Sequence, residues 1–161
     1  MKLIFLIILV ILLFIFLFYK HDNFTCVVKK RINYKTSKII KKIKKNQYFK
    51  IKKLYETKLK NFDFIPKMEF DDLTQTITED YYPSILTKKN KPEDFEKQLL
   101  NIKKVLKKNK LYHNDLHYKE HIRLKKNKIY IIDFDSMSDK ESKFGKKMGG
   151  NNILKIIKKY Y

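Results

Sequence analysis

The sequence predicts an α+β fold, because short strand-like runs crowd its first half, one strongly amphipathic helix follows, and a hairpin pattern comes after that helix. A single transmembrane helix is expected ahead of this domain, since Leu3 to Tyr19 (LIFLIILVILLFIFLFY) runs for 17 residues without a charge. At the rise of an α-helix such a run covers roughly 25 Å, near the lower limit for a hydrocarbon core of ~30 Å. The chain has 161 residues, so what remains is one modest domain, short for most enzymes.

Composition excludes several classes. Three glycines and a single cysteine, Cys26, rule out collagen-like, linker-rich and disulfide-stapled chains. The formal charge is +21, from 38 Lys+Arg against 17 Asp+Glu, but only Arg31 and Arg123 are arginines and there is no Ala or Trp, a usage typical of AT-rich coding sequence. The excess is uneven. Residues 21–60 hold 14 basic and 2 acidic side chains, whereas residues 61–161 hold 22 and 15.

The apolar run at residues 1–20 reads as an anchor rather than a cleaved signal, because it exceeds the usual apolar length and no small-residue cleavage site follows in YKHDNFTC. Only Lys2 precedes it, while Lys20, Lys29, Lys30, Arg31 and Lys35 follow, so the positive-inside rule puts a single-pass protein's domain on the cytosolic side. Residues 21–36 then form a basic juxtamembrane segment with the first strand, and residues 37–161 the domain proper. Cys26 as a lone thiol suits a reducing compartment, in which the sequon at Asn23 meets no glycosylation machinery.

Within the domain, residues 24–31 and 38–43 read as strands and residues 47–59 as a helix, with Phe49, Ile51, Leu54, Tyr55 and Leu59 at helical spacing. Pro66 breaks that helix, and residues 68–70 and 73–77 form a hairpin across Asp71-Asp72. The best-defined helix covers residues 92–109, with Pro92, Glu93, Asp94 and Glu96 at its start, Lys107, Lys108 and Lys110 at its end, and a stripe from Phe95 to Leu106 between. A polar loop, a hairpin strand at 122–124, a Lys-Lys-Asn-Lys turn and the apolar strand at 129–132 come next. A last short helix is expected over residues 151–159, with Gly149-Gly150 as a hinge before it.

Two short stretches carry chemistry: His113-Asn114-Asp115-Leu116-His117, and, 18 residues on from Asp115, Asp133 in Ile131-Ile132-Asp133-Phe134-Asp135. Together they resemble the catalytic core of the protein-kinase-like superfamily, whose loop reads H-x-D-L-x-x-x-N and whose metal turn reads D-F-G after an apolar strand. The variant is similar to small atypical members such as lipopolysaccharide-type and aminoglycoside-type kinases and kinase-like proteins of large DNA viruses. The resemblance implies a minimal, truncated kinase-like fold with a strand-rich N-terminal lobe and a reduced helical C-terminal lobe, using ATP and Mg²⁺ to phosphorylate a hydroxyl of a protein or small molecule.

Under that resemblance Asp115 orients and deprotonates the acceptor hydroxyl, His113 props its loop, and Asp133 holds the metal with Phe134 packed beneath. Strand 38–43 would present a phosphate-contacting lysine. Alternation favours Lys41, with Lys42 as second choice, and Glu56, the only acidic residue between Asp22 and Asp63, is its expected partner. Residues 73–77 and 78–81 would line an adenine pocket through backbone groups.

Several positions depart from the pattern. Glu120 stands where the family has Asn, a carboxylate that would still serve Mg²⁺, and Asp135 stands where the metal turn has Gly. No glycine-rich loop is possible, since the glycines are 145, 149 and 150, and only 26 residues follow Asp135. A non-catalytic kinase-like binding module is therefore the leading alternative. A basic tethered protein engaging acidic lipid or nucleic acid is a third, weakened for nucleic acid by the near absence of Arg. His113, His117 and His121 are four apart, as on one face of a metal-binding helix, but Asn114-Asp115 interrupts helical character.

Overall fold

The computed structural model describes residues 27–161, and within them the chain is α+β with two antiparallel sheets and four α-helices. No helix among the described residues is long and apolar enough to cross a membrane. The run to which the sequence reading assigns an anchor, at residues 1–20, lies outside them. The expected architecture is corrected accordingly: no spanning helix precedes the domain within the described residues, and the single-pass, cytosol-facing placement is not carried further.

β1 (Val27–Asn33) and β2 (Lys38–Ile43) form a hairpin, β4 (Thr76–Asp80) pairs with the other edge of β2, and β3 (Met68–Asp71) pairs with β4. The boundary drawn between residues 36 and 37 thus falls inside one hairpin. β1 is an edge strand that shows Val28, Lys29, Lys30 and Arg31 to solvent and carries a bulge between Val27 and Lys29. On β2, alternation turns Ile39, Lys41 and Ile43 inward and Lys42 outward.

α1 (Lys45–Leu54) buries Tyr48 and Ile51 and meets β3 through a Tyr48–Phe70 edge contact at 5.9 Å. It ends earlier than the apolar spacing suggests. From Tyr55 to Leu59 the turn widens into a π-helix, with Lys60 N donating to Tyr55 O and the Thr57 hydroxyl donating back to Lys53 O. The β3–β4 turn also differs from expectation: Asp71 accepts from the amides of Leu73 and Thr74, Gln75 takes a positive φ, and Leu73 is 93% exposed, so the second strand begins at Thr76.

The second sheet has the order β5 (Ser84–Ile85), β6 (Ile122–Lys125), β7 (Lys128–Ile131), the last two joined by Lys126 and Asn127, both at positive φ as a tight hairpin requires. α2 (Phe95–Lys108) buries Phe95, Leu99, Ile102 and Leu106 and packs on β7 and on α4 (Ile153–Tyr160). Between them α3 (Lys143–Met148), capped by Ser142, was not foreseen. One core runs through both sheets, from Ile43, Tyr48 and Ile77 to Leu99, Ile122, Ile131 and Ile153. Ile131 N donates to Phe64 O at 2.9 Å, tying the second sheet to the chain that leads into β3.

Gly149-Gly150 is a packed junction and not a hinge. Gly149 ends α3 at φ +73, and Gly150 N donates to Gly145 O while Gly150 O accepts from Leu116 N at 3.1 Å. A Cβ at Gly150 would stand 2.0 Å from Asn114 O, inside the polar loop. Gly150→Ala must push the backbone apart, and we expect it to cost about 2–3 kcal/mol, read as a lower melting temperature by circular dichroism. Gly149→Ala, strained by its φ and crowding only the flexible Lys155 side chain at 3.1 Å, should cost about 1 kcal/mol. Equal losses in the two variants would contradict the close packing.

Candidate active site

Lys41 is delivered by the inward face of β2, and its ammonium meets two carboxylates. Glu79 Oε1 lies at 2.8 Å and Asp133 Oδ1 at 3.4 Å. Glu79 is there because β2 and β4 pair with Lys41 opposite Ile77 and Ile39 opposite Glu79, which puts Lys41 and Glu79 on one face as diagonal neighbours. Both are nearly inaccessible, Lys41 at 7% and Glu79 at 2% exposure. Burial alone would lower the Lys41 pKa, but the charges of Glu79 and Asp133 outweigh it and hold the ammonium above its ordinary range.

Glu56 does not reach this lysine. It is exposed in the π-helical turn, where its field acts on Lys52 and Tyr48. The pairing expected for Lys41 is corrected: α1 ends at Leu54, so Glu56 falls beyond the face that α1 turns to the sheet, and Glu79 takes the role from a strand.

Asp133 follows β7 in a left-handed conformation, φ 68 and ψ 66, and the chain then makes a single 3₁₀ turn with Phe134 buried. An αL aspartate costs about 1 kcal/mol, so the surrounding contacts must impose it. α1 packs on that turn, and Ile51 and Phe134 line one small cavity with Lys41. The carboxylate is half-buried. Desolvation opposes its ionisation, but the hydrogen bond from His121 and the charges of Lys41 and His121 prevail and hold it well below the usual carboxylate range.

His121, absent from the sequence-predicted set, joins the two motifs. Its Nδ1 lies 3.0 Å from the backbone oxygen of Asp115, and its Nε2 lies 3.3 Å from Asp133 Oδ2. Carbonyl and carboxylate oxygens only accept, so both neighbours favour the protonated ring. Burial works against that, yet Asp133 outweighs it and raises the pKa above 6.5. One imidazole ring therefore spans from the 113–117 loop to the Asp133 turn. Glu120, one residue earlier in the 3₁₀ turn Lys119–His121, is exposed. The structure does not bring it to Asp133, because the turn carries the inward direction to His121 instead.

The loop itself is held from within. His113 is fully buried, its Nε2 donates to Ile132 O at 2.8 Å, and its ring stands edge-on to Phe134. Asn114, at φ 68, donates to the carbonyls of Tyr112 and Ser136 and accepts from Ser142 N and Asn151 Nδ2. That amide ties the loop to the Asp133 turn and to the start of α3. Asp115 is half-buried, and among the described residues its carboxylate has no hydrogen-bond or ion-pair partner.

Burial, then the neighbouring His121, push the His113 pKa from 6.5 down to about 4. Its folded value is depressed, so its contribution is complete above pH 6.5 and is lost as pH falls toward 4, a loss of about 3 kcal/mol. His121 has the opposite sign: its contribution is complete below pH 6.5 and is lost as pH rises through its higher folded pKa. Thermal stability should therefore peak near pH 6.5. The acid limb should flatten in His113→Gln, and an unchanged limb would remove His113 as its cause.

The space around Lys41 is small. Two cavities flank it, of about 20 Å³ toward α1 and about 30 Å³ toward Tyr81, Tyr82 and Arg123. Ligand pockets are on the order of 300 Å³ or more. A cavity of about 580 Å³, lined by Lys60, Phe62, Lys67, Lys128 and Tyr130, touches neither Lys41, Asp115 nor Asp133. Among the described residues no group of three or more His, Cys, Asp or Glu is arranged to hold a metal ion. The three histidines do not share a face: the His113 and His121 rings are 5.7 Å apart, whereas His117 packs at a tilt against Tyr118. Besides Glu79, the carboxylates near Lys41 are Asp133 and, lining the same cavity, Asp135. No family model matches the chain, and no curated protein matches it.

Proposed function

We propose that this protein is a kinase-like phosphotransferase that uses a nucleoside triphosphate with Mg²⁺ to phosphorylate a hydroxyl. The observation that carries the reading is the meeting of Lys41, from the first sheet, with Asp133, from the end of the second, on the side where His121 connects to the Asp115 loop. A lysine, a metal-binding carboxylate and an unpartnered carboxylate are the parts that phosphoryl transfer asks for.

In this mechanism Lys41 binds phosphate oxygens, kept charged and aimed by Glu79. Asp133 and Asp135 would hold Mg²⁺, which when bound supplies charge neutralisation of the phosphates. Asp115 accepts the proton of the acceptor hydroxyl as that oxygen bonds to the γ-phosphorus and the bond to the leaving diphosphate breaks. His113 positions the loop through Ile132 and touches no reactant.

A second reading, a kinase-like binding module without turnover, is favoured by the narrow space at Lys41 and by the double engagement of Asp133. A nucleotide would have to lift the β1–β2 hairpin and displace Lys41 or His121 from the carboxylate. The test is the melting temperature of the full chain with and without millimolar ATP and Mg²⁺, since ligand bound to the folded state raises stability by mass action. A rise of several degrees that Asp133→Asn makes metal-independent is expected. No rise in the wild type would overturn nucleotide binding.

A further inference from the structure

Beside the Asp115 loop, α3 and α4 enclose a second cavity, of about 180 Å³, that the proposed mechanism does not use. Its volume is about six times the share of one water in the liquid. Lys147, Lys155 and Lys159 line it together with His117, Gly149 and Tyr160. The three lysines have no carboxylate partner among the described residues; Lys159 only lies over the Tyr160 ring at 4.8 Å.

His117 gives the cavity its polarity. The residue is 8% exposed, and both ring nitrogens are buried with no hydrogen-bond partner. Any imidazole carries at least one N–H, and a buried donor without an acceptor costs about 1–3 kcal/mol. Tyr118 packs against the ring at a tilt with centroids 4.0 Å apart, Phe144 stands edge-on to it at 5.7 Å, and the residue's carbonyl accepts from the Tyr160 hydroxyl at 2.7 Å. A group with several acceptor oxygens and a negative charge would meet the three ammonium groups and, once the exposed Tyr118 or Phe144 side chain shifts off the ring, this donor as well.

We infer that this cavity is the acceptor subsite, in which His117, Lys147, Lys155 and Lys159 hold the phosphate of a phosphate monoester whose own free hydroxyl is presented to Asp115. The placement follows from the chain: His117 is two residues from Asp115, Gly149 forms part of one wall, and the next residue, Gly150, accepts from Leu116 N. This subsite rests on the proposed phosphotransferase reading. In the transfer the acceptor oxygen bonds to the γ-phosphorus of the nucleoside triphosphate, the bond to the diphosphate breaks, and the hydroxyl proton passes to Asp115 and then to solvent. The bound phosphate is a handle and is not itself altered.

The experiment needs no nucleotide, so it fails or succeeds separately from the phosphotransferase reading. The full chain is titrated with glycerol 3-phosphate, with inorganic phosphate and with acetate at constant ionic strength, while the imidazole resonances of His117 are followed by NMR. A saturable His117 shift with the monoester, none with acetate, and binding weakened about tenfold in Lys155→Gln and in Lys159→Gln but kept in Lys155→Arg is the expected result. These lysines are exposed, so the variants fold. No saturable shift, equal binding in the Gln variants, or binding of inorganic phosphate alone would overturn the subsite. A His117 response without any effect of ATP and Mg²⁺ on melting would leave an anion site and sink the phosphotransferase reading instead.

Discussion

Lys41→Met should lower the unfolding free energy by about 3–5 kcal/mol, because it leaves Glu79 as a buried carboxylate with no cation beside it. The double variant Lys41→Met, Glu79→Gln removes the stranded charge together with its partner and should recover most of that loss. Glu56→Gln, at an exposed position, should change stability by no more than about 0.5 kcal/mol. Urea unfolding of the four proteins separates the assignments. Failure of the double variant to recover stability, or a large cost at Glu56, would show that Glu79 is not the partner that matters. The same pair bears on nucleotide affinity, since a lysine that loses Glu79 is free to swing toward Asp133 alone.

Asp115→Asn should remove turnover by roughly a hundred- to ten-thousand-fold while leaving the melting response to ATP and Mg²⁺ intact. The reason is the division of labour in the site: Asp115 makes no contact that holds Lys41 or Asp133, and the hydrogen bond it offers His121 comes from its backbone carbonyl, the carboxylate adding only its charge. An amide at position 115 keeps that carbonyl and loses the base. Diphosphate release with a hydroxyl acceptor is the measurement. Turnover equal to wild type would disprove the role of Asp115, and loss of the nucleotide response would show that its carboxylate serves binding. If the wild type releases no diphosphate above background, the binding-module reading prevails.

How much of this was legible in the sequence depends on whether local periodicity or tertiary packing decided the outcome. Alternation along 38–43 is enough to turn Lys41 inward, and the heptad-like stripe from Phe95 to Leu106 is enough for α2. Glu79 is legible by the same rule, because Ile77 is apolar and the residue two further on must share its face. Glu56 had position in its favour and lost it to the π-helical turn, which periodicity does not announce. Glu120 and His121 differ by one step in a turn, and counting from Asp115 selects the first where the chain's bend selects the second. Asn114 and Gly150 were hidden for another reason: their importance lies in contacts between segments 28 to 37 residues apart, which a one-dimensional pattern does not encode.

The edge strand β1 has a consequence of another kind. A strand edge with no partner among the described residues is a template on which a second chain can add, and here that edge is bent by a bulge and studded with Lys29, Lys30 and Arg31, three like charges that any approaching copy would have to meet with its own. The protection is electrostatic, so it weakens as the Debye length shrinks from about 8 Å at physiological salt to about 3 Å at 1 M. For this molecule, concentrated salt is the condition under which fibrous or edge-to-edge self-association becomes a hazard, and dilute buffer is the safe one.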